Sequence, residues 1–395
     1  MSAQPREFQL RVPEDVLTDL HLRLSRIRWP DEAPDAPAWQ YGTDLTYLRN
    51  LAEYWRDGYD WRVQEARLNA LPQFTAPVGG IEVHFMHALG VGPNPLPLVV
   101  SHGWPGSVLE FYKLIPLLTD PERHGGDAAD AFTVVAPSLP GYTLSFKPGQ
   151  PRFSPLGIAD VFAELMVGVL GYERFGAQGG DWGASVSAAL GLNHAEHVLG
   201  IHLNLLPLRR DGSPPLGDDP ELVAYRAELE HWLGEETGYS SIQGTKPQTL
   251  AYALTDSPVG LAAWIVEKFR SWSDCGGNVE ASFSRDELLT NIMLYWVTGA
   301  IGSSFWPYYA RQHDGWPLPG PRQVTVPTGY CSFPRDILHP PRSLAEQAFS
   351  NIQRWTVQPS GGHFAALEEP QALAADIRAF FRLLWRNRGS TLISV

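Results

Sequence analysis

The sequence predicts an α/β fold with a mostly parallel sheet, preceded by a helical N-terminal arm and interrupted by a helical lid. Three observations support this prediction. Apolar residues recur at helical spacing over residues 1–75, and short apolar runs typical of buried strands then alternate with helical stretches over residues 76–208. Residues 209–316 return to a helical pattern and are bounded at both ends by segments rich in proline and glycine.

The composition excludes several classes of function. The chain has 395 residues with 30 Lys and Arg against 43 Asp and Glu, which gives a formal net charge of −13, and no basic cluster could neutralise a run of phosphates. We therefore expect no nucleic-acid partner. Cys275 and Cys331 are the two cysteines, and no CxxC or HExxH pattern is present. The sequence thus predicts chemistry without a metal or a cofactor, in a reducing compartment.

The N-terminal arm is predicted from two amphipathic patterns. Their apolar positions are Val16, Leu17, Leu20 and Leu24 in the first pattern and Leu45, Leu48, Leu51 and Trp55 in the second. The first residues contain no apolar segment typical of a secretion signal, and no uncharged apolar run reaches the ~18 residues needed to span a bilayer. We expect a soluble, cytoplasmic protein that does not bind a membrane.

The first part of the core, residues 76–208, is predicted from alternating strands and helices. The predicted strands cover residues 81–86, 96–100, 132–136 and, more weakly, 175–178. The predicted helices cover residues 107–118, 161–170 and 184–198. The order strand, helix, strand indicates a parallel sheet with right-handed crossovers.

The lid is predicted from what separates residues 209–316 from the rest of the chain. Ser257 and Pro258 form a typical helix start inside this block, and a second proline-rich segment at residues 316–321 leads into a predicted strand at 323–326. Residues 317–395 then complete the core. An insertion between strands of such a sheet is expected over the carboxyl ends of the strands, where ligands bind.

The segment Gly179-Gly180-Asp181-Trp182-Gly183 places an aspartate between glycines at a predicted turn from a strand into a helix. A turn that holds its central side chain on a strained backbone tolerates almost no side chain at the flanking positions. A carboxylate at that place is suited to displacing a leaving group from a saturated carbon, which leaves a covalent alkyl ester. Because water must then cleave the ester, the site needs a base.

His363 is the candidate base, because it lies on a glycine-flanked loop ahead of a predicted C-terminal helix. A surface or capping histidine is the alternative. Asp336 is the candidate acid that orients the histidine, since it follows a predicted strand and lies between the other two groups along the chain. The alternative for Asp336 is a cap on a helix beginning near Ile337.

Two backbone amides are candidates for stabilising the anion that forms during ester hydrolysis. One belongs to Trp182, directly after the aspartate, and the other to Trp104 in the turn His102-Gly103-Trp104-Pro105-Gly106. A purely structural connection between strand and helix is the alternative for this turn.

Four segments, HGWPG, GGDWG, PTGYCSFPRD and GGHFAALEEP, together resemble the microsomal-type epoxide hydrolases, including the juvenile hormone epoxide hydrolases of insects. The resemblance runs from about residue 5 to 385. It implies an α/β-hydrolase fold with a helical lid and a two-step reaction, with Asp181 as nucleophile, Asp336 as acid and His363 as base. Many members carry glutamate at the acid position, so Asp336 is a shorter variant.

The resemblance also implies two lid tyrosines, Tyr239 and Tyr308, that assist the epoxide oxygen. Their chemistry is sensible in itself, because an alkoxide is a poor leaving group until a phenol donates a hydrogen bond or a proton to it. Tyr309 and Tyr295 remain alternatives to Tyr308.

We therefore expect an epoxide hydrolase that converts hydrophobic epoxides to vicinal diols. Two alternatives remain: a haloalkane or haloacid dehalogenase with Trp104 and Trp182 as halide donors, and a ligand-binding module without turnover. The sequence leaves the oligomeric state open, with a homodimer among the alternatives.

Overall fold

A computed structural model describes residues 4–35, 37–209 and 217–385 of the chain. Within these residues one sheet contains nine strands: β1 (Arg6–Glu7), β2 (Gln73–Val78), β3 (Ile81–Ala88), β4 (Leu96–Ser101), β5 (Phe132–Pro137), β6 (Phe175–Gly179), β7 (Val198–Leu203), β8 (Thr328–Ser332) and β9 (Ile352–Val357). The same residues form fifteen α-helices: α1 (Glu14–Leu24), α2 (Leu45–Asp57), α3 (Trp61–Asn69), α4 (Leu114–Thr119), α5 (Pro155–Ala163), α6 (Asp181–Asn193), α7 (Pro220–Glu235), α8 (Gly238–Thr245), α9 (Pro247–Asp256), α10 (Pro258–Ser271), α11 (Arg285–Thr298), α12 (Trp306–Asp314), α13 (Arg342–Ala345), α14 (Ala365–Glu368) and α15 (Pro370–Trp385).

The sheet has the strand order β1-β2-β3-β5-β4-β6-β7-β8-β9. The first strands pair antiparallel, and every pairing from β5–β4 through β8–β9 is parallel. Strands β4 to β8 are buried, as expected for parallel strands covered by helices on both faces. The predicted α/β fold with a mostly parallel sheet is confirmed.

The parallel arrangement brings four separate chain segments to one edge of the sheet. Strands β4 and β6 are neighbours in register, with Ser101 opposite Gly179, so the turns that follow them lie side by side. Strands β8 and β9 continue the same sheet, and the loops after them lead to Asp336 and His363. The carboxyl ends of parallel strands are where ligands bind in such sheets.

Several predicted element bounds were wrong. The arm is helical in α1 to α3, but Arg6–Glu7 and Gln73–Val78 are strands of the sheet. No strand forms at 323–326, where Val324 makes one isolated bridge to Phe349, and the strand begins instead at Thr328, directly after a proline.

Three helices also differ from their predicted ranges. The predicted helix over 107–118 is a 3₁₀ turn, Val108–Phe111, followed by α4. The predicted helix over 161–170 starts earlier as α5 and ends in a π-helical turn, Glu164–Val169. The helix after the aspartate starts at Asp181 itself and ends at Asn193, because His194 leaves the helical conformation.

Helices α7 to α12 lie in the segment predicted as the lid, and the N-terminal arm packs against them. Thr43 Oγ1 donates to the carbonyl of Ala263 in α10 at 2.7 Å. The hydroxyl of Tyr54 donates to Asp286 Oδ1 in α11 at 2.7 Å. Arm and lid are therefore joined by hydrogen bonds in addition to apolar contacts. Most of the proline-rich segment predicted to lead into the lid, residues 210–216, lies outside the described residues.

Among the described residues, no single helix has the length and apolar character needed to cross a membrane. Two bent helix pairs, Pro247–Asp256 with Pro258–Ser271 and Arg285–Thr298 with Ile301–Asp314, meet those criteria when each pair is taken together.

Candidate active site

Asp181 lies at a sharp turn between β6 and α6, and its backbone φ of +46° is unusual for a residue with a side chain. The turn is closely packed on both sides. A Cβ atom on Gly183 would lie 1.8 Å from the carbonyl oxygen of Ser101, and one on Gly179 would lie 2.2 Å from the carbonyl carbon of Gly183. The glycines predicted to flank the aspartate are therefore required by contact with backbone atoms.

The carboxylate of Asp181 is held by backbone amides. The amide of Trp104, in the turn after β4, donates to Oδ1 at 2.8 Å, and the amide of Trp182 adds a second hydrogen bond. Burial alone raises the pKa of Asp181, but His363 and these two amides outweigh burial and hold the pKa below its usual value. The carboxylate is thus ionised at neutral pH.

His363 and Asp336 form a buried pair next to this carboxylate. His363 Nδ1 lies 2.6 Å from Asp336 Oδ1, and Nε2 lies 3.6 Å from Asp181 Oδ2. The two loops that carry the pair are joined, because the amide of Arg335 donates to the carbonyl of Gly361 at 3.0 Å. The histidine therefore stands between two carboxylates.

The two carboxylates determine the charge of the imidazole. Burial lowers the pKa of His363. Both carboxylates, Asp336 and Asp181, act in the opposite direction through their charges and through hydrogen bonds with the ring, and together they raise the pKa to about 10. The resting site therefore holds an imidazolium between two carboxylates. Asp336 Oδ1 also accepts the amide of Ile337 at 2.7 Å, yet no helix begins there, since α13 starts at Arg342. The capping alternative for Asp336 is wrong.

Tyr239 at the start of α8 and Tyr308 in α12 project from the lid toward Asp181. Both line one cavity of about 510 Å³ together with Asp181 and Trp182. Tyr239 stacks on Trp104 with ring centroids 5.3 Å apart, and Tyr308 packs edge-on against Trp182 at 4.8 Å. The ring centroids of the two tyrosines are 5.7 Å apart, so the two phenols are neighbours in the wall of this cavity.

The alternatives to Tyr308 point elsewhere. Tyr309 stacks between Trp306 and His313 on the outer side of α12. Tyr295 is fully buried, and its hydroxyl donates to the carbonyl of Gly106 at 2.6 Å. The hydroxyl of Tyr308, by contrast, is buried without a hydrogen-bond partner in the described part of the chain.

The structure thus brings together all seven residues predicted for the site, and it adds two that the sequence did not single out. The carbonyl of Trp272 accepts a hydrogen bond from the amide of His363 at 2.8 Å, and the indole ring of Trp272 packs edge-on against the imidazole of His363. Glu110 lies on the 3₁₀ turn after the HGWPG segment and contacts the site from the side opposite the lid. A carboxylate four residues after Gly106 was the available signal for Glu110, whereas nothing distinguishes Trp272 among 14 tryptophans.

No group of three or more His, Cys, Asp or Glu side chains is arranged to hold a metal ion in residues 4–35, 37–209 and 217–385.

Comparison with known proteins is consistent with this geometry. The family model described as "Epoxide hydrolase N terminus" matches residues 5–111, and the model described as "alpha/beta hydrolase fold" matches residues 97–259. A putative epoxide hydrolase of Stigmatella aurantiaca is 44% identical over 95% of this chain and 84% of its own length. Epoxide hydrolase 1 of Oryctolagus cuniculus is 38% identical over 97% of this chain and 90% of its own length.

Solved structures agree over nearly the whole chain. The juvenile hormone epoxide hydrolase of Bombyx mori superposes with a TM-score of 0.87 at 29% identity, covering 98% of this chain and 96% of its own. The epoxide hydrolase of Aspergillus niger superposes with a TM-score of 0.85 at 30% identity, covering 96% and 97%. These relatives are named as epoxide hydrolases, so they do not favour the dehalogenase alternative. They also do not favour a ligand-binding module without turnover. The chain belongs to the epoxide hydrolase family and has the α/β-hydrolase fold.

Proposed function

We propose that this epoxide hydrolase opens its substrate with the carboxylate of Asp181 and forms the vicinal diol by hydrolysing the resulting ester. One observation carries the proposal. The carboxylate has the amide of Trp104 on one oxygen, an imidazole beside the other, and two phenols in the wall of a shared cavity of about 510 Å³. This is the set of groups that nucleophilic attack, oxygen protonation and ester hydrolysis require.

In the first step, Asp181 Oδ2 attacks an epoxide carbon, the ring C–O bond breaks, and the oxygen takes a proton from a phenol. Oδ2 is the oxygen suited to attack, because Oδ1 is engaged by the amide of Trp104. Burial raises the pKa of Tyr308 well above its usual value, so this phenol keeps its proton at neutral pH until a substrate oxygen accepts it. Tyr239 is the second donor in the proposal.

In the second step, water attacks Cγ of the ester and gives a proton to His363 Nε2. Formation of the ester removes one of the two charges that raise the pKa of His363, so the imidazolium releases its Nε2 proton to the phenolate left by the first step. This restores the phenol, and the neutral imidazole can then act as the base. The negative charge then develops on Oδ1, to which the amide of Trp104 already donates, and the amide of Trp182 donates to the same carboxyl group. Asp336 holds the imidazole with Nε2 directed at the ester.

A hydrophobic epoxide is the proposed substrate, and the lid is proposed as the part of the chain that encloses it. The cavity wall combines aromatic and aliphatic side chains with polar groups, and the apolar part offers contacts to a hydrophobic substrate. Its apolar members are Trp182, Leu205, Pro207, Trp232, Leu233 and Trp316. The proposed segments are an arm over residues 1–75, a core over 76–208 and 317–395, and a lid over 209–316.

The proposed location is the cytoplasm, with no attachment to a membrane. Cys275 and Cys331 are buried as free thiols, which suits a reducing compartment. Fractionation of the source cells tests this, because recovery of the protein in a membrane or secreted fraction would contradict it.

A single turnover with excess enzyme in ¹⁸O-labelled water tests the two-step mechanism. The oxygen that enters the first diol comes from Asp181, so this diol is expected to carry no label, and label is expected in the enzyme carboxyl. Labelled diol in the first turnover would mean direct attack by water. The Asp181→Asn variant should be inactive toward an aryl epoxide, and halide release from an alkyl halide by the wild-type enzyme measures the dehalogenase alternative.

A further inference from the structure

The cavity of about 510 Å³ that the two lid tyrosines line is called here the large cavity. A second, small cavity lies on the other side of Asp181. It has a volume of about 20 Å³, and its wall includes Asp181, His363 and Glu110. Of the described residues, Asp181 is the one that lines both cavities. The two lid tyrosines line the large cavity and His363 lines the small one. The nucleophile therefore separates the proposed oxygen donors from the proposed base.

The small cavity has the size and the polar wall that one water molecule needs. A site for a single water takes roughly 10–15 Å³ and two to four polar partners. Ser101 Oγ and Gln178 Oε1, both on residues of its wall, are buried and have no hydrogen-bond partner among the described residues. Buried polar atoms of this kind are normally satisfied by protein or by ordered water.

Glu110 has a defined position in this wall. Its Oε1 lies so close to Gly106 that a Cβ atom there would be 1.6 Å away, and the amide of Gly103 donates to its carboxyl. The carboxyl is also close enough to His363 and Asp181 to interact electrostatically with both. Burial raises the pKa of Glu110 to about 8. Within residues 4–35, 37–209 and 217–385, no ion pair or further hydrogen bond accounts for a carboxyl at this place.

We propose that Glu110 is a positioning residue for ester hydrolysis, which holds in the small cavity the water that His363 activates. The inference rests on the proposed function of Asp181 and His363. The water oxygen forms a bond to Cγ of the ester while one of its protons passes to His363 Nε2, the bond from Cγ to the substrate oxygen breaks, and His363 gives that proton to the diol. The carboxyl group of Asp181 that results then passes its remaining proton to His363, which restores the carboxylate and the imidazolium. Water thus attacks from the side opposite the bound diol, and the ester can be hydrolysed while the large cavity is still occupied.

The test separates the two half-reactions of the full-length enzyme in Glu110→Ala and Glu110→Gln, using a slow aryl epoxide and rapid quenching. We expect Glu110→Ala to slow ester hydrolysis by about 10- to 100-fold, the loss typical of a misplaced reactant, and alkylation to change less than about threefold. The ester should then accumulate as a covalent mass adduct. Glu110→Gln keeps a hydrogen-bonding group and should recover part of the rate, while ionisation of Glu110 disappears from the pH profile of hydrolysis.

Glu368 provides a matched control. Its carboxyl is partly buried near His363, and loss of hydration raises its pKa to about 7. It accepts the amides of Asp274 and Phe364 at 2.7 and 2.9 Å and does not line the small cavity. Glu368→Gln should leave the ratio of the hydrolysis rate to the alkylation rate unchanged.

Three outcomes would contradict either the inference about Glu110 or the proposed function itself. If both Glu110 variants slow alkylation as much as hydrolysis, or change the ratio no more than Glu368→Gln does, Glu110 has only a structural role and the inference is wrong. Unchanged hydrolysis in a variant that still forms the ester also overturns the inference but leaves the proposed function intact. Absence of any ester in the wild-type enzyme, with label in the first diol, overturns the proposed function itself. Glu110→Gln preserves volume and decides the question where Glu110→Ala does not fold.

Discussion

Replacing Asp336 with asparagine removes one charge beside His363 while retaining an oxygen that accepts its N–H. Against burial, which lowers the pKa of His363, the charge of Asp336 is the largest influence that raises it. The rise from 6.5 to about 10 corresponds to about 5 kcal/mol, at about 1.4 kcal/mol per pH unit. We expect the pKa of His363 in Asp336→Asn to fall toward its ordinary value.

This change has a defined effect on stability. A histidine whose pKa is raised by folding stabilises the native state fully below its unfolded pKa of 6.5, and the contribution is lost as pH rises through about 10. Between these two pH values the contribution of His363 to the free energy of unfolding should fall by up to about 5 kcal/mol in the wild-type protein. In Asp336→Asn the fall should be much smaller. Urea unfolding of both proteins at several pH values measures the difference, in which contributions from the other titrating groups cancel.

The same variant should slow ester hydrolysis by about 10³- to 10⁴-fold, as expected when the group that orients a catalytic histidine loses its charge, and should affect alkylation little. Asp274→Asn is the matched control. Asp274 accepts, at 3.0 Å, the amide of Gly361, which lies on the same loop as His363, but Asp274 does not contact the imidazole. The reasoning is refuted if Asp336→Asn and the wild-type enzyme show the same pH dependence of unfolding, or if hydrolysis in the variant proceeds at the wild-type rate.

Three further predictions follow from other contacts. Tyr308→Phe should slow alkylation by about 10²-fold or more in single-turnover experiments, because it removes a proton donor, whereas Tyr309→Phe on the outer side of α12 should have no effect. Gly183→Ala should lower the free energy of unfolding by at least about 1–3 kcal/mol in urea titration, since its Cβ meets a backbone oxygen of β4 at 1.8 Å, and a variant of unchanged stability would contradict this. Burial lowers the pKa of His339, but Glu228 in lid helix α7 outweighs burial and raises it to about 9 through a 2.6 Å contact. The interaction of protonated His339 with Glu228 stabilises the folded lid fully below pH 6.5, and this stabilisation is lost as the pH rises through about 9. Glu228→Gln should therefore speed hydrogen exchange in α7 at pH 6 but not at pH 10.

The nucleophile and its turn could be predicted because their requirements are local. The positive φ of Asp181, the close approach of Gly179 to Gly183 and the amide of the next residue belong to one turn of five consecutive residues. His363 and Asp336 could be placed by their order along the chain relative to that turn. Only the folded sheet shows that their loops are hydrogen-bonded to each other.

The features that were missed depend on contacts between distant segments. Strand β8 has the sequence Thr-Gly-Tyr-Cys-Ser, which is weakly apolar, and it is a strand because β7 and β9 pair with it on both sides. The choice between Tyr308 and Tyr309 depends on how α12 is rotated against the core, which a pair of adjacent tyrosines cannot reveal. For Glu110 the sequence offers a carboxylate close to the HGWPG segment, but only the folded chain shows that it lines a cavity with Asp181 and His363, which are distant along the chain.

The hydrogen bonds from the N-terminal arm to α10 and α11 fasten one side of the lid, so any opening of the lid on that side has to break them. Arg209 and Gly315, near the two ends of the lid segment, both border the large cavity. We expect substitutions at these two positions to change the range of epoxides that the enzyme accepts, because they leave the groups of the proposed reaction in place.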